Sequence, residues 1–147
     1  MDGRTEASGG CLCGAVRFRA GLPSRWVAHC HCAMCRRAHG AAFVTWVSVP
    51  AARFRLQEGA EAALAWHASS AEAERGFCRH CGASMLFRSR LWAEEMHVAA
   101  ACLDDGPDRM PQMHAFWDAH VGWTRADPDL PTRTEAEIRA ALAKRQG

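Results

Sequence analysis

The spacing of the cysteines constrains this chain more than any other feature of its sequence. Seven of the eight cysteines fall into three short groups, which are Cys11 and Cys13, then Cys30, Cys32 and Cys35, then Cys78 and Cys81. Two pairs supply four sulfurs, enough to close a tetrahedral zinc site. The triplet supplies only three, the number that catalytic zinc keeps when one position stays open. The spacing therefore predicts one closed and one open zinc site, with Cys102 left over.

The two pairs of the predicted closed site are each followed by glycine. Cys11 and Cys13 are two residues apart, so in an extended chain both side chains point to the same side. Cys78 and Cys81 form a Cys-x-x-Cys-Gly knuckle between two short strand-like segments. A metal ion shared by both pairs would tie the chain near residue 12 to the chain near residue 80. We expect this site to be structural, because metal-binding energy is then folding energy.

The triplet is the part of the chain where we expect function. Its three cysteines lie within one short loop, and a zinc ion there has a fourth position for water or an incoming thiol. Metal coordination keeps a thiol ionised at neutral pH, and the thiolate is the nucleophilic form. His29 or His31 is the alternative fourth ligand, which would make this second site structural as well.

Other polar and aromatic residues carry a structural and a functional interpretation. Arg36 and Arg37 either offset the charge of the site, hold a substrate carboxylate, or form a solvated face. Cys102 is expected to be an inert buried thiol. Most tryptophans are expected in the core, with Trp46 and Trp123 as candidate pocket walls. Four histidines are expected at the surface or satisfied in the core: His67, His97, His114 and His120.

Hydrophobic patterning predicts a mostly β chain. Residues 15–19 alternate between apolar and polar, and residues 42–49 are rich in β-branched and aromatic side chains. Residues 1–8 are polar and are expected to be irregular. Only the tail is predicted to be helical, because Thr134 and Glu137 have capping-box spacing before a narrow apolar stripe. Further short strands are expected at 26–28, 53–56, 63–67, 74–77, 85–87, 95–103 and 113–117. At 63–67 the alanines would equally support a helix.

Length and charge limit the class of protein. A chain of 147 residues is most simply one domain. Two Zn²⁺ ions and seven thiolates would add −3 to the formal net charge of +2, giving −1. With no basic tract, nothing indicates nucleic-acid binding. No segment resembles a signal peptide or a membrane span, so we expect a cytoplasmic protein without a membrane partner, in which reduced cysteines favour metal over disulfides.

Three motifs together carry a resemblance to a known family. They are residues 10–18, residues 30–37 followed by Gly40 and Phe43, and residues 77–82. On these motifs the chain resembles the glutathione-dependent formaldehyde-activating enzyme (GFA) family, which includes the centromere-protein-V-like proteins. The resemblance continues weakly through Leu103-Asp104-Asp105 and then from Pro111 to Trp123. It covers about residues 9–131, which we expect to form one zinc-binding β domain, followed by a helical tail at 132–147.

The resemblance implies a fold, two metal sites and a reaction. The fold is a β-tent of two stacked antiparallel sheets. The sites are a structural zinc on the two cysteine pairs and a catalytic zinc on the triplet. The implied reaction joins formaldehyde to glutathione as S-hydroxymethylglutathione, the work of a carbon–sulfur lyase. The chain departs from the family at Ala101 and Cys102, where the residues before Leu-Asp usually include glycine, and the tail lies outside the match.

Three interpretations of function follow. The first is a zinc-dependent lyase acting on a small-molecule thiol, with glutathione and formaldehyde as the default pair. The second is a non-catalytic, zinc-scaffolded binding module, which a histidine in the open zinc position would favour. The third keeps the chemistry but changes the substrate to another thiol or a larger aldehyde.

Overall fold

A computed structural model, which describes residues 1–125 and 129–145, shows a mostly β protein with two sheets and a short C-terminal helix. The strands are β1 Glu6–Gly10, β2 Arg17–Gly21, β3 Trp26–Cys30, β4 Val44–Pro50, β5 Phe54–Leu56, β6 Leu64–Ala68, β7 Ala73–Cys78, β8 Ser84–Ser89, β9 Glu95–Ala99, β10 His114–Ala115 and β11 Thr132–Arg133. The helices are α1 Ala33–His39 and α2 Glu135–Arg145. The predicted fold class is confirmed.

The strands form a small and a large sheet. The small sheet has the order β1-β2-β5 and is antiparallel throughout. The large sheet has the order β11-β10-β3-β4-β9-β8-β7-β6. Its pairs from β3 to β6 are antiparallel, whereas β10 pairs in parallel with both β3 and β11. The sequence did not indicate these parallel pairs, because each involves only two residues of β10.

The faces of the large sheet carry different chemistry because side chains alternate along each strand. Val47 and Val98 are paired across β4 and β9, and both lie in the main core with Phe18 of the small sheet. Trp46 and Ala99, the next pair, lie in a second and smaller buried cluster with the triplet. Cys11 and Cys78 of the two cysteine pairs thus belong to the main core, whereas the triplet lies in the second cluster.

Three local expectations differ from the structure. Residues 6–10 form β1 instead of an irregular start, because they pair along their whole length with β2. The strand expected at 95–103 ends at Ala99 and is followed by a 3₁₀ turn at Ala100–Cys102. Residues 33–39 form α1, although only the tail was predicted to be helical. Within the described residues, no helix is long and apolar enough to cross a membrane.

The tail begins with the predicted capping box. The backbone N–H of Glu137 donates to Thr134 Oγ1 at 3.2 Å, and the backbone N–H of Thr134 donates to Glu137 Oε2 at 2.7 Å. Ile138 and Leu142 are only half-buried. The apolar stripe of α2 therefore contributes little to the core, and the division of the chain near residue 131 stays a prediction.

Deleting residues 134–147 is expected to leave both cysteine clusters intact. The truncation removes α2 but keeps β11, which completes the edge of the large sheet beside β10. We expect a melting temperature within a few degrees of the full chain and the same metal content per chain. An insoluble or metal-free truncated protein would show that α2 is part of the folding unit.

Candidate metal centres

The two cysteine pairs come together in space. The sulfurs of all four residues lie within 4.8 Å of one another: Cys11, Cys13, Cys78 and Cys81. The separation is 3.6 Å between the Cys11 and Cys13 sulfurs and 3.8 Å between those of Cys13 and Cys78. Sulfurs bound at about 2.3 Å to a tetrahedral zinc lie roughly 3.8 Å apart. Donor type and spacing therefore fit zinc, and all eight cysteines of the chain are free thiols.

Tight turns hold these pairs in position. Gly14 and Gly82 follow the two motifs with φ angles of +82° and +77°, a conformation that glycine adopts without steric cost. The backbone N–H of Val16 donates to Cys11 Sγ at 3.2 Å. The backbone N–H of Gly82 donates to the carbonyl oxygen of Cys78 at 2.8 Å and closes the knuckle. The glycine after each cysteine pair is thus required by the turn that presents the sulfurs.

The triplet spans a strand end and a helix. Cys30 ends β3, Cys32 is the N-cap of α1, and Cys35 lies in the first turn. The three sulfurs lie within 4.8 Å of one another. Cys32 Sγ accepts the backbone N–H of Cys35 at 3.3 Å, in the way that a serine side chain caps a helix. The expectation of a single short loop was wrong, because this cap starts a helix between the second and third cysteines.

Cys35 receives hydrogen bonds from residues far along the chain. Trp46 Nε1 donates to Cys35 Sγ at 3.4 Å, and the two terminal nitrogens of Arg75 donate at 3.5 and 3.6 Å. Arg75 is itself only 5 % exposed. Donation from the Cys30 and Cys32 thiols is the main cause that lowers the pKa of Cys35 to about 2; burial opposes it, and Arg75 and Trp46 add to it. Cys35 is therefore the cysteine of the triplet whose ionised form the surrounding hydrogen bonds stabilise most.

The neighbouring histidines have partners of their own. His29 Nδ1 lies 2.8 Å from Thr45 Oγ1, and His31 Nε2 lies 3.0 Å from His114 Nδ1. Burial, followed by the charge of His114, lowers the pKa of His31 to about 4, so this buried ring is neutral. Within residues 1–125 and 129–145, no histidine or carboxylate has a ligand atom close enough to join the three sulfurs. The triplet thus offers three protein ligands.

The remaining candidates have mixed outcomes. Arg36 Nε donates to the carbonyl oxygen of His31 at 3.1 Å, whereas Arg37 is exposed. Trp123 is 74 % exposed and does not line the cleft near the triplet, whereas Trp46 donates to Cys35 Sγ without lining that cleft either. Cys102 is half-buried, and burial together with the nearby cysteines of the closed cluster raises its pKa to about 11.

Two of the four histidines expected to be structural lie in the core, and two lie outside it. His97 and His114 are buried, and His67 and His120 are exposed. Their placement agrees with the expectation for each of them.

A buried polar network lies beside Trp46 and was missed by the sequence analysis. Glu95 Oε2 accepts hydrogen bonds from Ser48 Oγ at 2.8 Å and from Trp26 Nε1 at 3.2 Å, and lies 2.9 Å from His97 Nε2. Burial raises the pKa of Glu95, but the bonds from His97 and Ser48 outweigh it and lower the pKa overall. The only sequence signal is the alternation of Glu95 and His97 with apolar residues, which puts both on the face of Trp46.

A cleft of about 230 Å³ opens beside the triplet. Its wall includes Val44, the Cα partner of Cys30 across the sheet, and Ala99, which shares the buried cluster of Cys30 and Cys35. Its polar residues include His39, Thr45, Ser84 and Cys102. None of the three cysteines lines the cleft, but two of its wall residues, Val44 and Ala99, pack in the buried cluster that holds Cys30 and Cys35. The cleft is large enough for a small organic group.

Comparison with known proteins identifies the family of this chain. The sequence model of the family described as glutathione-dependent formaldehyde-activating enzyme matches residues 6–119. The chain belongs to this GFA family. A Halomonas elongata protein that is provisionally named a glutathione-dependent formaldehyde-activating enzyme is 28 % identical, over 95 % of this chain and 98 % of its own. A Schizosaccharomyces pombe protein named an uncharacterized lyase is 27 % identical, over 70 % of this chain and 82 % of its own.

A solved structure shares the GFA fold of this chain. The crystal structure of a Rhodobacter sphaeroides protein superimposes with a TM-score of 0.58 at 26 % sequence identity. The match covers 86 % of this chain and 99 % of the other. The two-sheet architecture is therefore shared with an experimentally determined relative.

Proposed function

We propose that this protein is a zinc-dependent carbon–sulfur lyase of the glutathione-dependent formaldehyde-activating type. It would join glutathione or a related small-molecule thiol to formaldehyde or a related aldehyde, and catalyse the reverse cleavage. Family membership and the names of the two relatives support the reaction class. The observation that carries the proposal is the three-sulfur triplet, which no fourth ligand joins among the described residues. A cleft nearby shares Val44 and Ala99 with the buried cluster of the triplet.

The chemistry of the two donor sets supports different roles for two zinc ions. Cys11, Cys13, Cys78 and Cys81 would hold a structural ion, and Cys30, Cys32 and Cys35 would hold the catalytic one. A zinc ion on the triplet would stabilise an ionised thiol in its open position and polarise a carbonyl group nearby. The non-catalytic module has less support, because His29 and His31 have other hydrogen-bonding partners.

Buried residues of the chain hold the sulfurs of the triplet in position and offset the negative charge of the zinc-loaded site. Three thiolates around a divalent ion carry a net charge of −1, and the buried guanidinium of Arg75 supplies the compensating positive charge at Cys35. Trp46 fixes the same sulfur from β4. Val44 and Ala99 pack in the same buried cluster as Cys30 and Cys35, so the triplet lies against an apolar layer.

The direct test measures adduct formation by zinc-loaded protein. Two-dimensional NMR exchange between formaldehyde hydrate and the S-hydroxymethyl adduct gives the rate with excess glutathione, with and without protein. We expect acceleration over the uncatalysed background that scales with the zinc content of the triplet. Parallel runs with cysteine and with a larger aldehyde define the substrate class. No acceleration with any thiol–aldehyde pair would reject the enzyme and favour the binding module.

Replacing Arg75 by methionine is expected to weaken zinc binding at the triplet by roughly 10- to 100-fold, the usual cost of losing a partner of a metal ligand. The variant keeps a flexible side chain but removes both N–H donors and the charge from Cys35. The zinc affinity of Arg75→Lys at the triplet should lie between those of wild type and Arg75→Met, because lysine restores the charge without the paired donors. Competition with a chromophoric chelator measures the affinity of each site.

The matched control is Arg88→Met on the neighbouring strand. Arg88 lies over the ring of Trp66 at 3.9 Å, and its side chain is half exposed. Arg88→Met should leave the zinc affinity of the triplet and of the four-sulfur cluster unchanged. Equal affinities for wild type and Arg75→Met at the triplet would contradict the role given to Arg75.

A further inference from the structure

The residue that moves the proton is the missing part of the proposed reaction. Joining a thiol to a carbonyl carbon requires that the thiol lose a proton and that the former carbonyl oxygen gain one. The sulfurs of the triplet are occupied as ligands, so another group must carry this proton. Histidine is the common choice near neutral pH.

His39 is placed for this role by the helix that carries the triplet. It lies one turn after Cys35 at the end of α1, on the same face of the helix. Its ring packs edge-on against Trp46, with centroids 5.2 Å apart, and Trp46 donates to Cys35 Sγ. His39 also lines the cleft whose wall includes Val44, the strand partner of Cys30. One helix thus carries a metal-ligand candidate, Cys35, and one turn later a histidine that lines the cleft.

Ser84 gives His39 a second polar group on the cleft. His39 Nε2 lies 3.3 Å from Ser84 Oγ, and both residues line the cleft. The rest of its wall is mainly apolar, with Ala41, Phe43, Val44 and Ala99. Its other polar residues, Thr45 and Cys102, are uncharged side chains. A largely apolar wall without a fixed charge besides His39 suits a small neutral carbonyl compound better than the charged ends of a peptide thiol.

We propose that the cleft receives the aldehyde and that His39, hydrogen-bonded to Ser84, is the proton-transfer residue of the thiol–aldehyde addition. This inference rests on the proposed function and assigns a subsite and a role within it. The glutathione chain would then approach the triplet from outside the cleft.

The proposed step balances without any further reactant. The thiol proton moves to His39 as the sulfur becomes a thiolate. The sulfur forms a bond to the carbonyl carbon, and the π electrons of the carbonyl bond move to its oxygen. His39 then returns the proton to that oxygen and gives a hydroxymethyl thioether. Cleavage of the adduct follows the same path in reverse.

The surroundings of His39 keep it in the form that accepts a proton. Within the described residues, the charged and titratable groups that face it are Cys35 on its own helix, Arg75 on β7 and Cys102 across the cleft. Burial is the main cause that lowers the His39 pKa below its usual 6.5; Cys35 opposes the shift and Arg75 adds to it. A lowered pKa favours the neutral ring, which is the form that accepts a proton.

The test compares His39→Gln and His39→Ala with the exposed-histidine control His67→Gln. We expect His39→Gln to keep its zinc and its melting temperature but to lose roughly 100-fold in kcat/KM, a typical loss for general acid–base catalysis. The step in the pH profile of kcat/KM that reports the ionisation of His39 should be absent from His39→Gln. Imidazole should partly restore His39→Ala, because the cleft can admit it. His67→Gln should behave as wild type.

The outcomes separate this inference from the proposed function. A wild-type protein that does not exceed the background rejects the function itself. A wild type that accelerates the reaction, together with a His39→Gln variant of equal kcat/KM and pH profile, overturns only the role of His39. If His39→Gln does not fold, Ser84→Ala decides instead. Its kcat/KM should fall while zinc content stays constant, and an unchanged kcat/KM would overturn the proposal.

Discussion

The variant Cys78→Ser is expected to lose much of the stability of the fold. Cys78 is fully buried in the main core, and its sulfur lies 3.8 Å from that of Cys13, which is 65 residues earlier in the chain. A structural zinc in such a site contributes folding free energy directly, on the order of 10 kcal/mol in small zinc-binding peptides. Domains of this size have only about 5–15 kcal/mol of net stability. Losing even about 5 kcal/mol would lower the melting temperature by roughly 10–20 °C.

Circular dichroism melting and zinc content per chain measure this result. Cys13→Ser is the matched comparison, because Cys13 belongs to the same cluster but is exposed. It should destabilise the protein less than Cys78→Ser, since serine at an exposed position is not buried without a partner. A Cys78→Ser protein that melts like wild type would show that the four-sulfur cluster is not a structural zinc site.

The grouping of the cysteines could be read from the sequence because metal-ligand spacing is a local property. Each motif lies within a few residues, and the glycines after Cys13 and Cys81 mark the turns that the structure requires. The same holds for the capping box of α2, which depends on residues three apart. The sequence could also indicate that the two pairs share one site, since each pair alone offers too few ligands.

The environment of the triplet could not be predicted because it depends on tertiary contacts. Arg75 lies 40 residues after Cys35, and His114 lies 83 residues after His31, yet both pairs are in direct contact. The helix α1 has only seven residues and is capped by cysteine, so neither its length nor its cap resembles a usual helix signal. These contacts add the positive charge of Arg75 to the site and fix the ring of His31, and the spacing of the ligands indicates neither.

Cys32→Ser is expected to abolish activity with the least disturbance of the fold. Cys35→Ser would also remove a metal ligand, but it would disturb the buried Arg75, whose two terminal nitrogens donate to the Cys35 sulfur. Cys32 is only partly buried, and its sulfur caps α1 by accepting the backbone N–H of Cys35. Serine is among the preferred N-cap residues, so Cys32→Ser keeps the cap while removing the thiolate. The fold and the four-sulfur cluster should survive.

We therefore expect Cys32→Ser to retain one zinc per chain, to melt within a few degrees of wild type, and to form the thiol–aldehyde adduct at the uncatalysed rate. Cys32→Ala is the control for the cap. It should lose the same activity but about 1 kcal/mol more stability, the typical cost of replacing an N-cap residue by alanine. If Cys32→Ser unfolds as readily as Cys78→Ser, the triplet is structural and the binding module gains support. If it folds and keeps full activity, the chemistry does not take place at the triplet.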